Sequence, residues 1–449
     1  MDLLHALRLD QIPTPYAVSF VGSGGKTTAL FQLARQLLEQ QNKISKNALV
    51  IVTATTHLGV WQIPLADHHL IIKKPNEITL PTTGIVLVTG DIKDERTAPV
   101  TQDVTYWLRE ISQTNNIPLL IEADGSRQKP LKAPAAHEPP IPEFSDIVIH
   151  VSGLSGLGKP LCEDNVHRAE IFSQITELPL NAPITPQAHL KYLTHPQGAL
   201  KNIPQTAKRI ALLNQADTPS ILSIGGGMAG ELLNTYDAVV VGSLGQQNIQ
   251  LMERTAGIIL AAGSSNRFGS PKQLLDWNGK PFIRHVTETA LRSGLEPVVV
   301  VTGFQHTEIE SHLQGLPIHI THNPDYEQGQ STSIKKGIAA LLPNTGGCVF
   351  LLADQPQIPV AIIRALVEAH ASERQAILAP LVLEERRANP VLFDRVTFAD
   401  LMQLTGDVGG RGIFDRHRVS YLPWHDDILL FDVDKPEDYE RLKKLDKGI

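Results

Sequence analysis

Short runs of Val, Ile and Leu recur along this chain, and stretches with helical spacing of apolar residues separate them. The runs at 16–21, 48–52, 85–88, 119–122 and 147–151 are short and apolar on both faces. Strands buried on both sides and alternating with helices predict a parallel-sheet α/β architecture. The run at 238–241 is expected to close a first sheet, and 246–254 to form a short linking helix. The pattern restarts at Gly257 with a new strand and a new glycine turn. A boundary near residue 253 follows, with α/β domains over 1–253 and 254–449. A length of 449 residues also calls for more than one domain.

Composition changes this picture little. Hydrophobic residues are 42% and charged residues 19%, as in globular chains. A net charge of −7 argues against a nonspecific nucleic-acid binder. The two cysteines, Cys162 and Cys348, stand far apart in no metal-ligand spacing, which excludes a disulfide scaffold and suits a reducing compartment. No segment approaches the roughly 20 apolar residues that span a bilayer, and residues 1–10 lack a secretory n-region. The expectation is a soluble cytoplasmic protein with no nucleic-acid or membrane partner.

The chemistry sits where strands end. Val18-Ser19-Phe20-Val21 runs into Gly22-Ser23-Gly24-Gly25-Lys26-Thr27-Thr28, and a helix is expected over 29–40. Strand, glycine loop with Lys-Thr, and helix are the parts of a P-loop. Backbone N–H groups and the helix N-terminus hold phosphate there, Lys26 reaches terminal phosphates and Thr27 can ligate Mg²⁺. The common spacing puts a glycine at position 20, where this chain has Phe20. A metal carboxylate is expected from Glu122-Ala123-Asp124-Gly125, with Asp124 the first choice and Glu122 orienting a water. Asn214-Gln215-Ala216-Asp217 ends another strand and is similar to the guanine-reading element of GTPases, with Gln in place of Lys. ATP and GTP both stay open. His137 and His167 lie in polar stretches read as solvated loops, and the threonines of Thr53-Ala54-Thr55-Thr56-His57 border the same crevice or are simply good strand residues.

The second domain opens on Leu260-Ala261-Ala262-Gly263-Ser264-Ser265-Asn266-Arg267-Phe268-Gly269-Ser270-Pro271-Lys272. Small residues let backbone N–H groups approach phosphate oxygens, and Arg267 and Lys272 can neutralise a triphosphate. Alone, the stretch also fits an ordinary turn with two surface cations. Further along come Gly303 at a strand end, and Ser331-Thr332-Ser333 before a helix over 334–342. Those hydroxyls are expected to cap the helix, or to cap it and also bind base or ribose. Asp354 in Ala353-Asp354-Gln355-Pro356 ends an apolar run, a place suited to holding Mg²⁺ against phosphates. Asp432-Val433-Asp434 presents two more carboxylates with strand alternation, and Asp434 either caps the next helix or completes the metal site.

The first half, through 22–28, 122–132, 133–139 and 165–170, resembles the accessory family called YqeC, associated with selenium-dependent molybdenum hydroxylases. The resemblance implies a nucleotide-binding accessory role and names no reaction. Residues 255–446 resemble the MobA-like nucleotidyltransferases that include molybdenum cofactor cytidylyltransferase, through the Leu260–Lys272 motif, Asp354-Gln355-Pro356, Arg387 with Asn389-Pro390, Gly406-Asp407 with Gly412, and Asp432-Val433-Asp434. That resemblance implies a Rossmann-like α/β/α sandwich, with Asn389, Pro390 and Asp407 on the acceptor side. It also implies CTP and Mo-molybdopterin as substrates, Mg²⁺ as cofactor and a molybdenum hydroxylase apoprotein as partner. Guanylyl-transferring relatives read Leu-Ala-Gly-Gly where this chain has Ala262, which points to cytidine. Ala388 departs from the glycine more often found before Asn-Pro.

Overall fold

The apolar runs become the strands of two sheets in a computed structural model that describes every residue except 45–46, 77–78, 265–267, 269–270 and 446–449. The chain divides into Met1–Met252 and Glu253–Ile449. In the first unit the sheet contains β1 (Ala17–Gly22), β2 (Leu49–Ala54), β3 (His68–Ile71), β4 (Gly84–Thr89), β5 (Leu119–Glu122), β6 (Ile147–Gly153), β7 (Lys208–Asn214), β8 (Ala238–Ser243) and β9 (Asn248–Met252). Their order is β9-β8-β7-β6-β1-β5-β2-β4-β3. All pairings are parallel except that of β9 with β8. β1 lies in the middle, with the strands β2 to β5 on one side and β6 to β9 on the other. The chain thus winds away from β1 in both directions, and a crevice opens at its carboxyl end.

Helix α1 (Lys26–Asn42) buries Leu30, Leu33 and Leu37 against Val18, Phe20 and Val52. On the opposite face α2 (Gln102–Asn115) sets Val104 and Leu108 against Val21, Ile51 and Val86. Thr101 caps α2 by accepting from the Val104 N–H. Three more helices, α3 (Ala169–Thr176), α4 (Pro186–Thr194) and α5 (Pro219–Leu232), cover Leu213, Val239 and Val241.

Two expectations fail here. Residues 246–254 form no linking helix, because Ile249 and Leu251 are buried in alternation, the period of a strand. β9 therefore closes the sheet, and the 238–241 run lies one place in from the edge. The stretches around Lys132 and His167 are not solvated loops either. Leu131–Lys132 and Val166–His167 pair as a short parallel ladder, and His167 is buried. His137 is exposed, as expected.

In the second unit β10 (Arg254–Ala261) begins three residues earlier than Gly257. It joins β11 (Val298–Thr302), β12 (His319–His322), β13 (Thr345–Leu352), β14 (Ile377–Val382), β15 (Arg386–Arg387), β16 (Val391–Asp394) and β17 (Val419–Trp424). The order is β12-β11-β10-β13-β16-β14-β15, and β17 adds to β14. Helices α6 (Phe282–Arg292) and α8 (Val360–Glu373) pack with Ile259, Val300 and Leu351, while α7 (Gln330–Ala339) packs with Ile258, Val299 and Val301. Neighbouring residues of one strand face opposite layers, so the unit is an α/β/α sandwich. The short α9 (Pro436–Leu445) ends the described chain. No described helix is long and apolar enough to cross a membrane.

Two buried histidines make the first unit acid-sensitive. His150 lies in β6, and His189 in α4 shares a 2.6 Å hydrogen bond between its Nε2 and Ser152 Oγ. Burial holds His150 neutral down to about 4, with Lys132 and Lys26 reinforcing and Asp124 opposing. Burial likewise holds His189 neutral to about 3. In an unfolded chain both take a proton below about 6.5. The unfolded state then binds more protons, so stability falls as pH falls from about 6.5 towards 4. The guanidinium midpoint of this unit should drop markedly between pH 7 and pH 4.5, a loss on the order of several kcal/mol. A His189→Gln variant should show a shallower slope whatever its absolute stability.

Candidate functional site

At the end of β1 the chain turns through Gly22, Ser23, Gly24 and Gly25 into α1. Gly24 has a φ of +78°, and a Cβ there would stand 2.4 Å from the Gly153 nitrogen, so no side chain fits. Gly25 gives the helix no side-chain cap. The first N–H groups of α1 are thereby left for a ligand, beside the positive end of the helix dipole. Ser23 faces inward, with its hydroxyl donating to the Pro130 carbonyl at 2.9 Å. Asn214 ties the loop down by donating to the Gly24 carbonyl at 2.8 Å and accepting from the Leu244 N–H at 3.0 Å.

Lys26 is buried. It donates to the Gly22 carbonyl at 2.8 Å and pairs with Asp124 at 3.0 Å. The other side of Asp124 meets Lys132 Nζ at 3.0 Å and accepts from the Gly22 N–H at 2.8 Å. Lys132 continues to Glu138 at 3.0 Å, and Arg168 forks onto Glu138 at 2.7 and 2.9 Å. Alternating charges thus run from the phosphate loop to Arg168. Burial opposes the charge on Lys26, but Asp124 and Glu122 outweigh it and raise its pKa. Burial likewise opposes the Asp124 carboxylate, and Lys26 and Lys132 overcome it and hold its pKa down. Glu138 is held down to about 2 against burial, by Arg168 and Lys132.

Asp124, the first choice for the metal carboxylate, thus meets two lysines and a backbone N–H and does not bond Thr27. Glu122 is the carboxylate beside Thr27, whose hydroxyl donates to it at 2.9 Å. Burial raises the pKa of Glu122. Gln62, which the sequence did not mark, donates to the same hydroxyl at 3.0 Å.

A cleft of about 780 Å³ opens over Gly24, Gly25, Lys26, Thr27 and Thr28. Thr55, His57, His137 and Gln215 also line it, but Asp217 does not. Asp217 is exposed, and its carbonyl accepts from Gln246 at 3.3 Å. A turn at Ser126–Lys129 enters the same cleft, closed by a 3.1 Å bond from the Lys129 N–H to the Ser126 carbonyl. Its central residues, Arg127 and Gln128, both adopt left-handed backbone with φ of 50° and 61°. Each such residue costs on the order of 1–3 kcal/mol. Sequence reading missed this turn, since Arg-Gln carries no glycine or asparagine to announce it.

In the second unit a smaller cleft of about 400 Å³ is lined by Leu260, Ala262, Gly263, Lys272, Asp354 and Asp407, with Ser333 and Tyr326. Lys272 Nζ lies 2.8 Å from Asp434 and 3.7 Å from Asp354. Burial raises the pKa of Asp354, with Asp432 and Asp434 adding to the rise against Lys272. Asp354 does not cap α8, whose N-cap is Pro359. The 431–434 stretch is not a strand; Gln355 donates to Asp432 and Gln357 to the Phe431 carbonyl. Gln273 staples the loop by donating to the Gly263 carbonyl at 2.9 Å. Arg267 and Ser265 lie outside the described residues. Ala261 is fully buried in β10.

The expected serine cap of α7 is also corrected. The helix begins at Gln330, so Ser331 and Ser333 lie inside its first turn, and Asp407 accepts from the Gln330 N–H at 3.3 Å. A Cβ on Gly329 would stand 2.4 Å from the Gly406 carbonyl, so this close approach needs glycine. Ser331 is buried, and Ser333 accepts from Asn323 at 2.9 Å. Asn389 and Pro390 precede β16 and are not among the residues lining the cleft.

The ion chain sets an expectation for stability. Asp124→Ala leaves Lys26 and Lys132 buried without their shared counter-charge and should cost about 3–5 kcal/mol in denaturant unfolding. Glu122→Gln should cost less than Asp124→Ala in the same assay, because the amide oxygen can still accept from Thr27 and Lys26 keeps Asp124.

The family model described as YqeC protein matches residues 18–170, and the MobA-like NTP transferase domain matches residues 257–420. The chain is 34% identical over 205 residues to "Uncharacterized protein YqeC" of Escherichia coli (strain K12), covering 45% of this chain and 76% of that protein. It is 32% identical over 201 residues to "Purine catabolism protein PucB" of Bacillus subtilis (strain 168), covering 42% of this chain and 95% of that protein. A third relative, "Molybdenum cofactor cytidylyltransferase" of E. coli, is 33% identical over 113 residues, 24% of this chain and 56% of that one. The chain therefore joins two families in one polypeptide, belonging to the YqeC family through its first unit and to the MobA-like NTP transferases, a nucleotidyltransferase family, through its second.

Proposed function

We propose that the second unit transfers CMP from CTP to Mo-molybdopterin, releasing pyrophosphate, and that the first unit is an ATP- or GTP-binding accessory module. The observation that carries the base choice is Ala262 in the lining of the cleft, where guanylyl-transferring relatives have glycine. Its methyl is held in place against the Gly303 backbone, since a Cβ built on Gly303 would lie only 2.8 Å from it. This favours a small base. The E. coli relative's name supports the same acceptor and nucleotide. The B. subtilis relative's name, which speaks of purine catabolism, is in keeping with delivery of the product to a molybdenum hydroxylase of the xanthine dehydrogenase type.

The acceptor phosphate is anionic at neutral pH, so no strong general base is needed. An oxygen of that phosphate attacks the α-phosphorus, and the bond to the pyrophosphate oxygen breaks. Catalysis is then positioning and charge stabilisation. Lys272 offsets charge on the triphosphate, as Arg267 is expected to do. Asp354 and Asp434 both face Lys272, and burial together with Asp432 and Asp434 raises the pKa of Asp354, which fits a cation at this place. Among the described residues no three metal-binding side chains converge. Asp354 and Asp434 would hold Mg²⁺ together with substrate phosphates, the usual mode for this ion. When bound, Mg²⁺ supplies charge neutralisation at the phosphates. Asp407 lines the acceptor side. In the first unit, Thr27 and Glu122 are the pair suited to Mg²⁺.

Asp354→Ala should lower CTP-dependent pyrophosphate release about a thousandfold while leaving the melting temperature nearly unchanged; retained turnover would overturn the role of Asp354. Ala262→Gly should raise the GTP-to-CTP ratio of kcat/KM by about tenfold, the scale of one methyl group in a fitted pocket. An unchanged ratio removes the basis for the cytidine reading. Lys26→Ala should abolish nucleotide binding by the first unit, measured by calorimetry, without altering CMP transfer by the full chain.

A further inference from the structure

The first unit's cleft extends beyond the phosphate loop, and its added length is cationic. Arg96, Arg127, Lys129 and Arg168 line it. Arg168 is engaged by Glu138, as described. The side chains of Arg96, Arg127 and Lys129 have no hydrogen-bond or ion-pair partner among the described residues. Of the carboxylates in the cleft, Glu122 and Glu138 are already engaged, and Glu95 alone among the described residues is not. Positive charge therefore exceeds negative where solvent enters.

The turn at Ser126–Lys129 adjoins the phosphate loop, because Asp124 ahead of it accepts from the Gly22 N–H at 2.8 Å and the Pro130 carbonyl behind it accepts from Ser23 at 2.9 Å. Arg127 and Lys129 sit on this strained turn. Arg127 and Gln128 hold left-handed backbone that glycine adopts freely, and neither side chain has a hydrogen bond or ion pair among the described residues. Strain kept at a cleft points to a ligand outside the fold.

We propose that this cleft holds a second, anionic small molecule beside the nucleotide, bearing a phosphate or carboxylate gripped by Arg127 and Lys129. The proposal rests on reading Gly22–Thr28 as a nucleotide site. It assigns the first unit two ligands, so that the anion meets the outer end of the bound triphosphate.

The test uses the full chain, non-hydrolysable ATP and GTP analogues, and radiolabelled inorganic phosphate as the probe. With an analogue saturating, phosphate should still bind in equilibrium dialysis. Arg127→Ala and Lys129→Ala should each weaken phosphate binding about tenfold, the scale of a lost charge-assisted hydrogen bond, and change analogue affinity less than about twofold. Arg127→Gly should lose phosphate equally yet raise the melting temperature by roughly 2–4 °C, since it relieves the turn, so misfolding cannot mimic the result. Displacement of phosphate by the analogue, or an equal loss of analogue affinity in the variants, would overturn the proposal and assign these cations to the nucleotide's own phosphates. If neither analogue binds the parent chain, the nucleotide reading fails separately. Phosphate binding that depends on Arg127 then still supports the anion site, and binding indifferent to Arg127 overturns it.

Discussion

Two lysines lose their water when the first unit folds, and one carboxylate answers both. Removing an ion from water costs several kcal/mol even after relaxation, and only close pairing offsets it. Asp124 stands 3.0 Å from Lys26 and 3.0 Å from Lys132, and it also accepts from the Gly22 N–H. The same group therefore fixes the shape of the phosphate loop and neutralises the charge behind it. Glu138 repeats the device one step on, between Lys132 and Arg168. Because each member holds two neighbours, the loop, the short ladder at 131–132 and 166–167, and the wall of the cleft are mechanically one object.

The second unit solves the opposite problem. There Lys272 meets crowded carboxylates. Lys272 lies between Asp354 and Asp434, and Asp432 is held nearby by Gln355. Burial raises the pKa of Asp354, Lys272 opposes the rise, and Asp432 and Asp434 add to it. A neutralised network suits a permanent scaffold, whereas an under-compensated one suits a place that gains charge only when substrate arrives.

Much of this was legible in the sequence because it is local. Apolar runs marked the parallel strands, and Gly22–Thr28 sits between a strand and a helix as its spacing implied. Asp354 follows the strand that Cys348–Leu352 predicts, and Ala262, Gly263 and Lys272 line one cleft. What escaped was non-local or against propensity. The partners of Asp124 come from positions 26 and 132, and nothing in Glu122-Ala123-Asp124 says which acid meets lysines and which meets Thr27. The cap of α7 comes from Asp407, so the serines beside it misled. β9 was hidden because it is short and Gln250, the polar residue between Ile249 and Leu251, suits a helix equally well. Arg127 and Gln128 form a turn that intrinsic preference would assign to glycine or asparagine.

The reach of the contacts in the second cleft has a bearing on how the molecule comes into being. Lys272 and Asp434 stand 162 residues apart along the chain, and Gln330 and Asp407 stand 77 apart. Domains generally fold as units in the order they leave the ribosome. The phosphate loop of the first unit has its partners once residue 214 has emerged, whereas Lys272 waits for Asp434. The transferase cleft is thus finished well after the first phosphate loop. A translation product halted between Met252 and Asp434 would carry a finished first unit joined to an unfinished second, so that integrity of the message through Asp434 guards the second chemistry and not the first.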